Sequence, residues 1–317
     1  MKLAWQTATT LLTLFIATVS AAPIARDPPA TQPLPRNAVH IALDERTGDY
    51  VAFKRDWTYL GRYPAHIERW NLERRGAPTC ANLTVDEAKT LPGWSKIEDY
   101  ADTNWGKGSR NIVTNPDDYP DSPALVCTSN TPVNVSFSGQ PVCQTNNLTL
   151  NGGLDGTDGS VSIAVSQGFN ASSSFTLQTT SSIGVSSTLG VSIGLPDVGS
   201  IGASVTMSTE VTNSRTQSFS ASYNDMSTVK LNMKSPDGKD CNAITSVKSC
   251  TLQATGKIRY LAQGYIWFNY DSTTKGHYKW AAQIESILTD EDDRSSFANF
   301  AGSVDAATAA SYKGTCE

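Results

Sequence analysis

Ile183-Gly184-Val185-Ser186-Ser187-Thr188-Leu189-Gly190-Val191-Ser192-Ile193 is answered, beyond the turn residues Leu195-Pro196-Asp197-Val198-Gly199, by Ile201-Gly202-Ala203-Ser204-Val205-Thr206-Met207-Ser208-Thr209-Glu210-Val211-Thr212. Both runs alternate apolar and polar residues with period 2, the pattern of a strand with one apolar and one polar face. Ile183, Val185, Leu189, Val191 and Ile193 share one side of the first run, with Ser187 the polar exception. Ile201, Ala203, Val205, Met207 and Val211 share one side of the second, with Thr209 the exception. The pattern predicts a hairpin with arms of about 11 residues, and a strand that crosses a bilayer needs about 9–11. A lone hairpin would leave unsatisfied backbone groups in hydrocarbon, so crossing requires strands from several chains closed into one barrel. The same alternation also fits a hairpin packed on a sandwich, with a core face and a solvent face. Charge favours the membrane reading. From Gly159 to Met226 Ser and Thr exceed a third of residues, and Asp197, Glu210, Arg215 and Asp225 are the only charges. An exposed sheet face normally recruits Lys and Glu, whereas a face that must enter lipid is penalised for them.

Strand patterns continue on both sides of this hairpin. Val161, Ile163 and Val165 alternate with polar residues, as do Phe175 and Leu177, Phe219, Ala221 and Tyr223, and Val229, Leu231 and Met233 up to the turn Ser235-Pro236-Asp237-Gly238. Upstream, Val133, Val135 and Phe137, then Leu148 and Leu150, lead to the turn Asn151-Gly152-Gly153; downstream, Thr251–Asp271 and His277–Leu288 read as strands. Short helices are predicted between Asn82 and Trp105, where Thr84-Val85-Asp86-Glu87 has the capping-box form. Asn111–Ser129 reads as an extended loop. The acids Asp290-Glu291-Asp292-Asp293 suit a helix start, with Ser295–Ala301 and Ala306–Tyr312 as helical candidates; their spacing lacks the alternation of a calcium loop. The expected fold is mainly β, with a small disulfide-bonded N-terminal region and short terminal helices.

The ends of the chain indicate export. Lys2, the apolar run Leu11–Ala17 and the small residues Val19-Ser20-Ala21 form a signal peptide cut after Ala21. A proline-rich leader follows, then the dibasic pairs Lys54-Arg55 and Arg74-Arg75, and all six cysteines lie beyond the second pair. Cleavage after Arg75 would release 22–75 as a prosegment; the expected division is 1–21 signal peptide, 22–75 prosegment, 76–150 small cysteine-bearing N-terminal region and 151–317 β domain. An even cysteine count in an exported chain favours disulfides, and six cysteines allow 15 connectivities. Spacing suggests Cys127–Cys143 and Cys241–Cys250, leaving Cys80–Cys316. The absence of C-x-x-C spacing speaks against zinc, and no cofactor is implied. Sequons at Asn82, Asn134, Asn147 and Asn170 suit a glycosylating secretory route. A formal net charge of -5 supplies no basic cluster for nucleic acid.

Enzyme chemistry finds little support. His40, His66 and His277 are the only histidines, and no G-x-S-x-G occurs. Asp271 and Glu285 are acids of the type a glycosidase uses, but sequence cannot set them face to face. The aromatic series Tyr260, Tyr265, Trp267, Phe268, Tyr270, Tyr278 and Trp280 could stack on sugars, although alternation within strands makes it core.

A long Ser/Thr-rich strand at Val161–Gln178, an amphipathic hairpin around Ile183–Val211, a returning strand at Thr212–Tyr223 and later strands at Val229–Met233 and Lys257–Tyr270 follow one another in an order that resembles the aerolysin-like β-pore-forming toxins, a family that includes epsilon toxin. The resemblance implies an elongated antiparallel β-sheet domain, with 151–317 as the aerolysin-like pore-forming part, release as a soluble monomer, recognition of a target-cell membrane through a surface receptor, glycan or otherwise, and assembly into a ring whose hairpins form the barrel. The chain departs from the family in its cysteines near the sheet domain and in lacking a recognisable lectin module. The competing expectation is a non-lytic extracellular β protein, a carbohydrate-binding or cell-wall adhesin.

Overall fold

The computed structural model describes residues 34–64, 79–116, 123–197 and 204–317. Along the chain these form β1 (His40–Leu43), β2 (Asp49–Phe53), β3 (Tyr59–Pro64), β4 (Cys80–Asn82), α1 (Val85–Ala88), α2 (Trp94–Trp105), β5 (Arg110–Val113), β6 (Ala124–Thr128), β7 (Val133–Asn134) and β8 (Ser136–Gly153). They continue as β9 (Gly159–Leu177), β10 (Thr188–Leu195), β11 (Val205–Thr212), β12 (Ser218–Ser235), β13 (Asp240–Thr274), β14 (His277–Gln283), α3 (Ile284–Ile287) and β15 (Ser295–Cys316).

The spine is β13, which at the rise of a strand runs about 115 Å. Both of its sides are paired antiparallel along most of its length. One side takes β15 from Cys241 to Leu261 and then β14; the other takes β8, β6 and β5 in turn. Beyond β15 the sheet continues through β9 to β12, and beyond β14 through β1 and β2 to β3. A second, three-stranded sheet of β11, β10 and β7 lies apart from it in hydrogen bonding.

The spine changes which face it buries. In its middle Cys250, Leu252, Ala254, Ile258 and Tyr260 point into the main core; near its start Cys241, Ala243 and Thr245 are the buried set, which is the opposite parity. The exchange falls at a register shift between Ser246 and Val247. Side chains alternate along an unbroken strand, so residues of opposite parity face opposite sides and one strand serves two cores. The second core is small: Ile163 and Val165 of β9 pack on Cys241 and Ala243, with Val229, Leu231 and Met233 of β12 beside them. Gly168 of β9 has φ +131°, and a Cβ there would meet the Asp225 carbonyl oxygen at 2.1 Å.

Several expectations are corrected. The disulfides are Cys80–Cys127, Cys143–Cys250 and Cys241–Cys316, in place of the three pairs that spacing suggested. Each joins residues directly opposite on adjacent antiparallel strands, with Cα atoms about 4 Å apart. Strand pairing, not sequence proximity, brings these thiols together. Ser295–Ala301 and Ala306–Tyr312 form β15 instead of helices, because Ala298, Phe300, Val304 and Ala306 are buried at period 2 against the spine. The helix start at Asp290 reduces to one 3-10 turn, Glu291–Arg294, with the Asp290 side chain accepting from the Asp292 amide. Its acids pair with Arg259 and Lys96. Within Asn111–Ser129, β5 and β6 are strands, and Leu125 to Thr128 pair with Tyr260 to Gln263 of the spine. The capping box at Thr84 is formed as expected.

β1 to β3, within the segment expected as a prosegment, are part of the sheet, with His40 opposite Ala282. Arg55 sits in the β2–β3 turn; Ala21 and Arg75 lie outside the described residues. The aromatic series is mostly core: Tyr260, Trp267, Phe268, Tyr270 and Trp280 are buried, while Tyr278 is exposed. Asn82, Asn134, Asn147 and Asn170 are all exposed.

Candidate functional site

The alternating stretch forms a hairpin in which Thr188 to Leu195 pair antiparallel with Thr212 to Val205. Each arm is 8 residues, shorter than the pattern predicted. Leu189, Val191, Ile193, Leu195, Met207 and Val211 are buried, and Val205 is half-buried. Thr206, Ser208 and Glu210 are exposed on the other face. The apolar face joins the core formed by Leu252, Ala254, Ile258, Phe175, Phe219 and Phe300 of the main sheet. The hairpin thus lies stowed on that sheet with its hydroxyl-rich face outward. Ile201 and Ala203 lie outside the described residues.

Polar ties between hairpin and body are sparse along the arms. The Thr128 hydroxyl donates to the Gly190 carbonyl at 2.7 Å, and the Thr209 hydroxyl donates to the Ser220 carbonyl at 2.6 Å. A short parallel pairing sets Ile193 and Gly194 beside Val133 and Asn134 of β7.

The root of the hairpin is more firmly held. Ile183 and Val185 lie here, outside β10: Ile183 is fully buried, and Val185 is 53% exposed. Gly184 and Ser186 both have left-handed backbones, which breaks the strand before Thr188. Asn213, fully buried, donates its side-chain amide to the carbonyls of Ser181, Ile183 and Gly184 at 3.0–3.1 Å and accepts from the Ser181 amide at 3.0 Å. Glu87 of α1 accepts from the Val185 amide at 2.7 Å. Ser182 donates its amide to the Ser296 hydroxyl and its hydroxyl accepts from Thr90. Gly184 packs against Val126 and Tyr260, and burial pushes the Tyr260 phenol up to about 12.

Covalent links respect a boundary. The disulfides rivet the spine to β8 and to β15, and β4 to β6. From Gln144 to Asp240 there is no cysteine, so β9, both hairpin arms and β12 are held to the body by noncovalent contacts. The solvent face of the five-stranded part of the sheet is likewise rich in hydroxyls, with Ser220, Ser174, Ser303, Gln253 and Ser138 forming one row across it.

His277 Nδ1 lies 3.1 Å from the Leu43 carbonyl, and its ring meets the Trp280 edge, a packing position. The Glu285 carboxylate accepts from the Gly264 amide at 2.9 Å, and burial raises its pKa. Among the described residues no cluster of three or more His, Cys, Asp or Glu is arranged to hold a metal, and no helix is long and apolar enough to cross a membrane, which has no bearing on strands.

No family profile matches the chain and no curated protein matches it. Similar solved structures include the Bacillus thuringiensis toxin parasporin-2, which recognizes cancer cells, at 13% identity and a TM-score of 0.35, covering 75% of this chain and 97% of that one. A non-toxic crystal protein from Bacillus thuringiensis is similar at 10% identity and a TM-score of 0.35, covering 75% and 97%. The β-pore-forming protein Mpp75Aa1.1 from Brevibacillus laterosporus is similar at 12% identity and a TM-score of 0.31, covering 73% and 86%. Likeness at this level concerns the arrangement of strands and leaves the chain's activity to its own geometry.

Proposed function

We propose that this chain is an exported β-pore-forming protein that gathers into a ring on a target membrane and inserts the hairpin around Ile183–Val211. The observation that carries the reading is the stowed hairpin. Its apolar face is buried on the sheet, its outer face carries hydroxyls and one acid, and no disulfide crosses the segment that would have to move.

Arms of 8 residues fall short of the span a bilayer needs, and the root supplies the difference. If Gly184 and Ser186 leave their left-handed conformations, β10 extends back through Val185 to Ile183. Val185, exposed in the stowed form, then shares the lipid side with Leu189 and Val191. Hairpins from several copies close the barrel and leave no edge. Cleavage after Arg75 would leave β1 to β3 held without a covalent link, by pairing with β14 and by contacts such as His40 with Tyr100, and in this reading it controls assembly. Glycans at Asn82, Asn134, Asn147 and Asn170 would cover exposed positions, and the receptor contact belongs to the remainder of the N-terminal half.

A covalent lock tests the proposal. Gly194 and Asn134 are partners in a parallel pair, where Cα spacing of about 5 Å falls within disulfide range. A Cβ at Gly194 would point at the Asn134 side-chain oxygen, 2.6 Å away. The oxidised Asn134→Cys/Gly194→Cys protein should bind liposomes and fail to release dye, while each single variant and the reduced double variant release it. Dye release at wild-type rate from the locked protein would remove the hairpin from the mechanism.

A further inference from the structure

The outward face of the hairpin holds four rungs: Thr188 opposite Thr212, Gly190 opposite Glu210, Ser192 opposite Ser208 and Gly194 opposite Thr206. Seven of these eight residues are hydroxyl-bearing or glycine; Glu210 is the single ionisable side chain among them. It is exposed, and its partner across the rung has no side chain, so nothing on its own hairpin stands between the carboxylate and solvent. Along the partner arm the same face is partly covered, with Ser192 half-buried and Gly194 buried beside Asn134, while Thr206, Ser208 and Glu210 are exposed.

We infer that Glu210 selects the permeant species: in the assembled pore it forms a ring of carboxylates at the second rung from the root, and the pore conducts small cations in preference to anions. This rests on the pore reading above. The face that meets water in the stowed hairpin must also meet water in the barrel, because its opposite face is the apolar one. Every copy contributes one Glu210 at one level. Each copy supplies two strands, so neighbouring carboxylates are separated by about 10 Å across the strands, and more once the strands tilt. That spacing exceeds the Debye length of about 8 Å at 0.15 M salt, so the acids tolerate one another while their field still covers the space between them. Rings of this kind are a common basis of cation preference. With no Lys or Arg on the two arms, nothing on them opposes it.

The test is reversal potential in planar bilayers under a KCl gradient, with wild type, Glu210→Gln and Glu210→Lys. All three should be exported and melt alike, because the site is exposed. Wild-type pores should prefer K+, Glu210→Gln pores should lose most of that preference, and Glu210→Lys should reverse its sign. The wild-type preference should be stronger at about 0.01 M salt, where the Debye length is about 30 Å, and nearly vanish at about 1 M, where it is about 3 Å. Pores whose reversal potential is the same in all three proteins overturn the assignment of Glu210 and leave the pore reading standing. Absence of any conductance from wild type removes the pore reading, and this inference with it.

Discussion

The backbone amide of Val185 donates to Glu87 Oε1 at 2.7 Å, joining α1 to the loop that leads into β10. The other oxygen of the same carboxylate accepts from the amide and hydroxyl of Thr84 at 2.9 Å and completes the cap of α1. One side chain therefore begins a helix and holds the hairpin root. Glu87→Ala should loosen the root by more than a cap is worth: about 1 kcal/mol for the cap and about 1.5–3 for the charge-assisted bond. Hydrogen exchange should quicken about tenfold or more across 188–212 while β13 and β15 stay protected. Thr84→Ala, which removes the hydroxyl of the cap and keeps the carboxylate that Val185 bonds, is the control; equal effects of both on the hairpin would refute the tie.

Asn213 sits where polar satisfaction is hardest to replace. Removing its amide leaves three carbonyls and one amide without that partner in a buried setting, at about 1–3 kcal/mol each before relaxation. Asn213→Ala should therefore lower stability by at least about 3 kcal/mol in urea. Asn213→Asp should be worse, because a carboxylate would face three carbonyl oxygens. A milder effect for Asp than for Ala would show that the root rearranges around that position.

Charge placed on the two faces of the hairpin should now read differently from what the alternation alone would suggest. Val191 is 4% exposed in the stowed form, so Val191→Lys buries an unpaired charge and should lower yield and melting temperature before any membrane is met. That outcome is common to a pore former and to a plain sandwich. Ser192→Lys and Thr206→Lys separate them: both should leave stability within about 0.5 kcal/mol, and pores should persist with a shift toward anions. Melting curves and conductance from the same preparations decide the matter.

Acid should act where β1 packs on α2. His40 is fully buried, stacked on Trp57 with ring centroids 4.2 Å apart, and meets the Tyr100 hydroxyl through Nε2 at 3.2 Å. Burial, aided by the charges of Lys275 and Arg55, lowers its pKa to about 4 from 6.5. As pH falls the unfolded chain takes up the proton first, so the contribution is complete above about pH 6.5 and is lost as pH falls toward about 4, reaching about 3 kcal/mol. His40→Phe should flatten the dependence of urea midpoint on pH over that window. A slope unchanged in the variant would assign the acid sensitivity to other groups.

The sequence disclosed the fold class and the hairpin because both rest on period 2, a local property. Val161, Phe175 and Val191 could be assigned to strands from their immediate neighbours alone. β15 was not legible in that way: Ala298, Phe300, Val304 and Ala306 alternate, but the many alanines of the segment favour helix locally, and only pairing with the spine overrides this. The disulfides were hidden for the same reason, since Cys143 and Cys250 meet across strands 107 residues apart in sequence. Ile183 illustrates a subtler failure. Its parity and its burial both match the predicted strand, yet it is a plug held by Asn213, because the left-handed residues at 184 and 186 interrupt the ladder between it and Leu189. Glu87, three-dimensionally next to Val185, carried only the capping signal, and nothing in the order of residues marked its second bond.

The cysteine-free span from Gln144 to Asp240 also bears on how the protein is made. A wrong disulfide closes a loop on the residues between its cysteines, but it cannot bond a segment that holds no thiol to another part of the chain. Here every mispairing would join parts of the riveted body, and on the proposed export route it would be open to repair by thiol exchange. The segment between Cys143 and Cys241 passes through that stage with no thiol of its own to be caught, so oxidation can fix the scaffold without fixing the part that the proposal requires to move.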